Sequence, residues 1–203
     1  MFNFITYNKF KERKWKRMDP RKRLMAFQKL ENIQAKKMRR PALTVVTVNW
    51  EDENLNGQCV NEKGIIQLNS RFVIHSARRF LGMATLFHEG RHAYQYHLCF
   101  GGKKVRRFTK AYKWKKNFEG YVNGESDKYS FYSMQPIERD ANKYAILRMK
   151  TLRRRYRRER LFNEALMEKL ADFDHVKDFA KKELGMFYKL RVALRNSKER
   201  RKR

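Results

Sequence analysis

The alternation of apolar and polar positions divides the chain into a short series of elements. Asp19-Pro20 pairs a helix-capping acid with a first-turn proline. Leu24, Phe27 and Leu30 follow at three-residue steps, with Ile33 next, and predict an amphipathic helix. "ALTVVTVNW" (42–50) is β-branched and predicts a strand. "EDENLNGQC" is rich in turn formers and reads as a link. "GIIQLNSRFV" (64–73) predicts a second strand. From 76 to 98 the helical period returns through Phe80, Met83, Ala84 and Phe87, and "CFGGKK" ends it. Residues 101–131, basic and aromatic with scattered glycines, read as a long connection. Pro136 starts another helix, expected to run through "IERDANKYAILRMKTLRRRYRRERLFNEA". A last helix over about 161–190 carries Phe162, Leu166, Leu170, Phe173, Leu184 and Phe187, before the charged tail "NSKERRKR". No internal repeat is present.

These elements predict an α+β chain, mostly helical, with a small sheet. Three stretches differ in character: a basic N-terminal segment and helix (1–41), a mixed core (42–150), and basic C-terminal helices with a tail (151–203). Charge changes the picture most. Fifty Lys+Arg against 21 Asp+Glu give a formal +29 and a pI near 10.4. Such a field attracts DNA, RNA or an anionic membrane surface. "RMKTLRRRYRRERL" (148–161) places arginines almost all the way round a helix, which is therefore expected to be solvated or pressed against phosphates. Arg153, Arg154, Arg155, Arg157 and Arg158 are the candidate nucleic-acid contacts, with Tyr156 and Trp114 as candidate stacking partners. No base-reading motif accompanies them, so contact is expected to be mainly to phosphate.

A membrane partner is not expected, because no helix sets a clear apolar face against its basic one. The longest uncharged apolar-rich run, "PALTVVTVNW", is too short to span a bilayer. "MFNFITYNKFKERKWKR" lacks an uninterrupted apolar segment, so no signal peptide is expected. Cys59 and Cys99 form no CxxC pair, which fits a reducing, cytoplasmic setting rather than a disulfide framework.

"FHEGRHAYQ" (87–95) carries the candidate chemistry. In a helix, His88 and His92 lie one above the other and can aim both imidazoles at one ion. Glu89, beside His88, can take a proton from an attacking water as general base. From this chain's own His and Glu frequencies, an accidental HExxH has odds on the order of one in a hundred. The metzincin pattern is excluded, because Gln95 and Leu98 stand where its later Gly and His belong. His75, His97 and His175 are the remaining histidines. The other common third ligand is a glutamate on a following helix, and "QPIERDANKYA" supplies Glu138. Asn142, one turn on, is placed to orient a histidine. Asp140 and Asp127 are rival ligands. Tyr132 leads the candidates for stabilising developing charge opposite the metal, with Tyr129, Tyr94 and Arg91 as alternatives. Two imidazoles and a carboxylate suit Zn2+.

Over roughly 42–150 the chain resembles the minimal zincins of the gluzincin type, including ImmA/IrrE-like HExxH proteins. "GIIQLNS", "TLFHEGRHAYQ" and "PIERDANKYA" carry the resemblance. It implies a zincin-like core: a small sheet, an HExxH helix and a following glutamate helix. It also implies a substrate backbone added as a strand along Ile65 to Ser70, and an inserted loop between His92 and Glu138. Two functions stay open. One is a zinc metallopeptidase cutting a protein substrate near nucleic acid. The other is a basic nucleic-acid-binding or assembly protein that keeps the scaffold with little or no peptidase activity. Glu89 favours the enzyme, since a scaffold kept for structure alone does not need it.

Overall fold

The computed structural model describes residues 2–52, 55–102, 104–121 and 129–171. In chain order its elements are α1 (Phe2–Asn8), α2 (Glu12–Lys16), α3 (Pro20–Met38), β1 (Thr44–Val48), β2 (Gly57–Val60), β3 (Ile65–Asn69), α4 (Arg71–Ile74), α5 (Arg79–Phe100), α6 (Lys110–Glu119), α7 (Tyr129–Met134) and α8 (Pro136–Tyr156). A further helical stretch covers 160–171. The chain is α+β and mostly helical.

Asp19 caps α3 as its sequence promises: its carboxylate accepts the Lys22 N–H at 2.8 Å, and Pro20 fills the first turn. The buried stripe is Phe27, Leu30, Glu31 and Gln34, while Ile33 is only half-buried. A 3.6-residue period drifts away from strict three-residue steps.

The sheet has the order β1-β3-β2, with β1 parallel and β2 antiparallel to β3. Two expectations change here. The stretch 51–59, read as a link, ends in strand β2, which a tight turn through Gly64 (φ 65°) joins to β3. The strand expected over 64–73 stops at Asn69, and Arg71 turns into α4. Because β3 is central, its backbone groups are taken by β1 and β2. Ile65–Ser70 is therefore not an open rim; the free edge on that side belongs to β2. Asn56 accepts the Asn69 N–H at 3.0 Å, so strand alternation turns the Gly57 and Cys59 backbone groups outward.

α5 is the axis of the molecule, packed against α3, α6, α8, β2 and β3. Every residue from Arg79 to Phe87 is buried. A helix covered on all sides shows little amphipathic contrast. At Gly90 two polar neighbours come close: a Cβ there would lie 3.1 Å from Arg40 Nη2 and 3.3 Å from Glu31 Oε2. Those two side chains form a buried, two-pronged ion pair at 2.6 and 3.0 Å.

The residues expected to form a plain connection, 101–131, contain α6, capped by Thr109 accepting the Tyr112 N–H at 3.2 Å. Trp114 packs with Cys99 and Ile137, flanked by Ala111 and Phe118. α8 also differs from expectation. It ends at Tyr156 rather than running on, and it is not solvated all round: Ala145, Ile146, Met149, Leu152 and Tyr156 are buried. The arginines occupy the remaining arc. Of the last expected helix, 160–171 is helical, while Phe173, Leu184, Phe187 and the tail lie outside the described residues.

One apolar core draws on the whole length, from Tyr7, Phe10 and Trp15 through Phe27, Phe72, Phe80 and Phe87 to Tyr156, Phe162 and Leu166. Buried Arg79 fastens its far ends together. Its guanidinium donates to the Phe10 carbonyl at 2.8 Å, the Ser76 carbonyl at 2.8 Å and Glu159 Oε2 at 2.7 Å. Among the described residues no helix is long and apolar enough to cross a membrane.

Candidate metal centre

α5 and α8 meet along their length and bring three side chains together. His88 and His92 stand one turn apart on α5, and Glu138 sits in the first turn of α8. Their ligating atoms lie within 4.8 Å of one another, and they are the one such group among the described residues. The His88 and His92 Nε2 atoms are 2.9 Å apart. Glu138 Oε2 lies 3.2 Å from His88 Nε2, and Oε1 lies 3.3 Å from His92 Nε2.

Three features fit a cation there. A tetrahedral ion with ligands at about 2.1 Å holds them about 3.4 Å from each other, close to these spacings. Glu138 is 1% exposed, yet Oε2 faces His88 in a geometry that makes no hydrogen bond, so this buried oxygen lacks a hydrogen-bond partner among the described residues. The third feature is a tautomer fixed by Gln95. Its amide nitrogen donates to the Ile137 carbonyl at 2.9 Å and to Asp140 Oδ2 at 3.0 Å, both acceptors. Its oxygen therefore faces His92 Nδ1, at 2.9 Å, and that nitrogen must carry the hydrogen. In the neutral imidazole the lone pair is then on Nε2, aimed at Glu138 and His88.

Gln95 thus fills the orienting role expected of Asn142, which is half-buried and makes no hydrogen bond to either imidazole among the described residues. Asp140 is not a ligand. It accepts from Arg91 Nε at 2.6 Å, from Lys110 and from Gln95, which hold its carboxyl below the usual range against the opposing effect of burial. Asp127 lies outside the described residues. Arg91 is committed to Asp140 and sits over the rings of Tyr94, Trp114 and Tyr144, so neither Arg91 nor Tyr94 faces the three ligands. Tyr129 opens α7.

A hydroxyl that does reach the ligands belongs to Tyr121, which the sequence did not single out. It donates to Glu138 Oε1 at 2.8 Å. Tyr132 reaches the site through it, by a hydrogen bond to Tyr121. Both phenols are pushed above their usual range, first by burial and then by the Glu138 charge. No spacing rule points to Tyr121, one of ten tyrosines. Gln95 was legible as a departure from the metzincin pattern, but not as a hydrogen-bond partner.

Glu89 is buried beside the ligands. Burial raises its carboxyl above the usual range, the charges of His88 and His92 pull the other way, and the Cys59 N–H of β2 hydrogen-bonds it. Gly57 lets β2 come this close: a Cβ there would sit 2.6 Å from Thr85 Cγ2 and 3.3 Å from Glu89 Cγ. Burial disfavours a charged His92, but the Glu138 carboxylate, Glu89 and the Gln95 hydrogen bond outweigh it and lift the imidazole to about 9. Burial likewise opposes ionisation of Glu138, yet the two imidazoles hold its carboxyl well below the usual range. The cluster is an electrostatic well for positive charge. Comparisons of the chain with protein-family models, with curated proteins and with solved structures give no match.

Proposed function

We propose that the protein is a zinc-dependent metallopeptidase built as a minimal zincin of the gluzincin type. The observation that carries this reading is the meeting of His88, His92 and the buried Glu138 carboxylate beside a buried Glu89. His88, His92 and Glu138 would hold Zn2+, leaving a fourth position open as a catalytic site requires. The ion, when bound, makes a water acidic and polarises the scissile carbonyl.

The remaining work falls to the chain. Glu89, made more basic by burial and steadied by the Cys59 N–H, accepts the proton of the attacking water and returns it to the leaving amine. Gln95 keeps the His92 lone pair turned to the ion. Tyr121 fixes Glu138 by donating its hydroxyl proton to Oε1. The outward edge of β2 runs past Glu89, with the Cys59 N–H already given to that carboxylate. It would take an extended peptide through its Gly57 groups and the Cys59 carbonyl, in place of the edge expected at Ile65–Ser70.

The test compares metal content and peptidase activity of the wild type and Glu89→Gln. Both should bind one equivalent of zinc, and only the wild type should cleave a mixed peptide library. Equal cleavage by the two proteins, or absence of stoichiometric zinc, removes the proposal. Zinc in both with cleavage by neither favours the scaffold reading.

A further inference from the structure

The second half of α8 and the two residues after it carry a cluster of exposed cations. Met149, Leu152 and Tyr156 anchor one face in the core, while Lys150, Arg153, Arg154, Arg157 and Arg158 are exposed. Two hollows flank this part of the helix. One, of about 400 Å³, is lined by Asn8, Lys11, Thr151, Arg154 and Arg155. The other, of about 610 Å³, is lined by Lys150, Arg153, Arg157 and Asn163, with Leu166 and Leu170 among its apolar walls. Three cations line each hollow, and no Asp or Glu lines either among the described residues. Lys11, Lys150, Arg153, Arg154 and Arg157 have no ion pair among the described residues.

The fold makes these hollows; the sequence alone does not. Tyr156 Oη donates to the Tyr7 carbonyl, Arg148 Nη2 donates to Tyr7 Oη at 3.2 Å, and the Glu12 N–H donates to Glu159 at 3.2 Å. These bonds bring the α1–α2 corner against α8, so that Lys11 and Arg154 share one hollow. Cations in the last turn of a helix complement its dipole, which accounts for part of the pattern. It does not account for Lys11, which lies on another segment, or for Lys150, well inside α8. Like charges so placed repel until a polyanion neutralises them.

We propose that this end of α8 is a ridge that enters the major groove of duplex DNA, with one phosphate backbone in each flanking hollow. A helix with its side chains is about 10–12 Å across, and the major groove is about 12 Å wide. Cations on both flanks suit two antiparallel backbones better than a flat anionic surface. The contacts are to phosphate, so binding is sequence-tolerant. Arg154 lies 16 residues beyond Glu138 on the same helix, which places the DNA about 24 Å from the metal centre along the axis. DNA bound there leaves the metal site open. If the proposed peptidase holds, its substrate is a protein lying on the adjacent duplex.

The test measures anisotropy of a mixed-sequence 20-base-pair duplex across a salt series, using the full chain. Two triple variants are compared: Lys11→Gln/Arg154→Gln/Arg155→Gln, and Lys150→Gln/Arg153→Gln/Arg157→Gln. At about 0.9 per phosphate, each should flatten the log–log salt slope by about 2.7. A third triple outside both hollows, Arg21→Gln/Lys36→Gln/Lys63→Gln, should leave the slope unchanged. Arginine-to-lysine versions of the α8 positions should restore it, which separates charge from folding. The proposal is overturned if the outside triple flattens the slope equally, or if either flanking triple keeps the wild-type slope. Tighter binding to single strands, or to phosphatidylserine vesicles, through the same residues also overturns it. Glu89→Gln should bind DNA as the wild type does, so this measurement and the peptidase assay can fail separately.

Discussion

Replacing Gln95 by leucine removes the group that sets the His92 tautomer. Three hydrogen bonds go, but the losses are unequal. Asp140 keeps Arg91 and Lys110, and the Ile137 carbonyl stands in the first turn of α8, where it also accepts an intrahelical bond. His92 Nδ1 alone loses the only partner shown for it. A buried donor left without an acceptor costs about 1–3 kcal/mol, the expected fall in stability of the chelator-treated protein. With the ring free to turn or to move its hydrogen to Nε2, zinc affinity should fall about 10- to 100-fold. That corresponds to about 1.4–2.7 kcal/mol. Competition against a chromophoric chelator reads the affinity, and thermal melts with and without chelator read the stability. Gln95→Glu is the counterpart. It restores an acceptor for His92 but sets a second carboxylate against Asp140, so it should recover affinity better than stability. A Gln95→Leu protein that melts early yet binds zinc as tightly as the wild type would reduce Gln95 to packing and refute the tautomer argument.

Three other outcomes are expected. Gly90→Ala presses a methyl group onto the Arg40–Glu31 pair and should cost about 1–3 kcal/mol in denaturant melts; an unchanged midpoint would mean the contact at 3.1 Å relaxes freely. Arg40→Met leaves Glu31 buried without its cation, at a cost of about 3–5 kcal/mol, whereas removing both charges with Arg40→Met/Glu31→Leu should recover most of it; a double variant no better than the single would contradict this. In chelator, His92 lifted to about 9 from its ordinary 6.5 contributes stability that is complete below pH 6.5 and lost as pH rises through 9. The melting temperature should therefore fall across that window. Saturating zinc, which binds the neutral imidazole, should abolish the fall; a flat profile in chelator would count against the charge well around Glu138.

Much of this was legible in the sequence where local chemistry decides. Asp19-Pro20 fixed the start of α3, the β-branched run fixed β1, and the i, i+4 histidines fixed one face of α5. Four features were hidden for physical reasons. β2 is a four-residue strand whose glycine is chosen for closeness to α5, so it reads as a turn. α6 is basic and aromatic, and its helical stripe of Ala111, Trp114 and Phe118 is short. The arginines of α8 mask a buried stripe that only a helical projection separates from them. Tyr121 and Gln95 reach the site by tertiary contact, and nothing in their spacing announces it.

Glu138 lies 46 residues after His92 and on a different rod. A shared cation would therefore act as a removable cross-link between the halves of the chain. By loop-closure reasoning, tying a span of that size withdraws about 4 kcal/mol of freedom from the unfolded chain, as a disulfide would. In a molecule this rich in mutually repelling charge, zinc supply would then govern how long the chain survives as well as what it does.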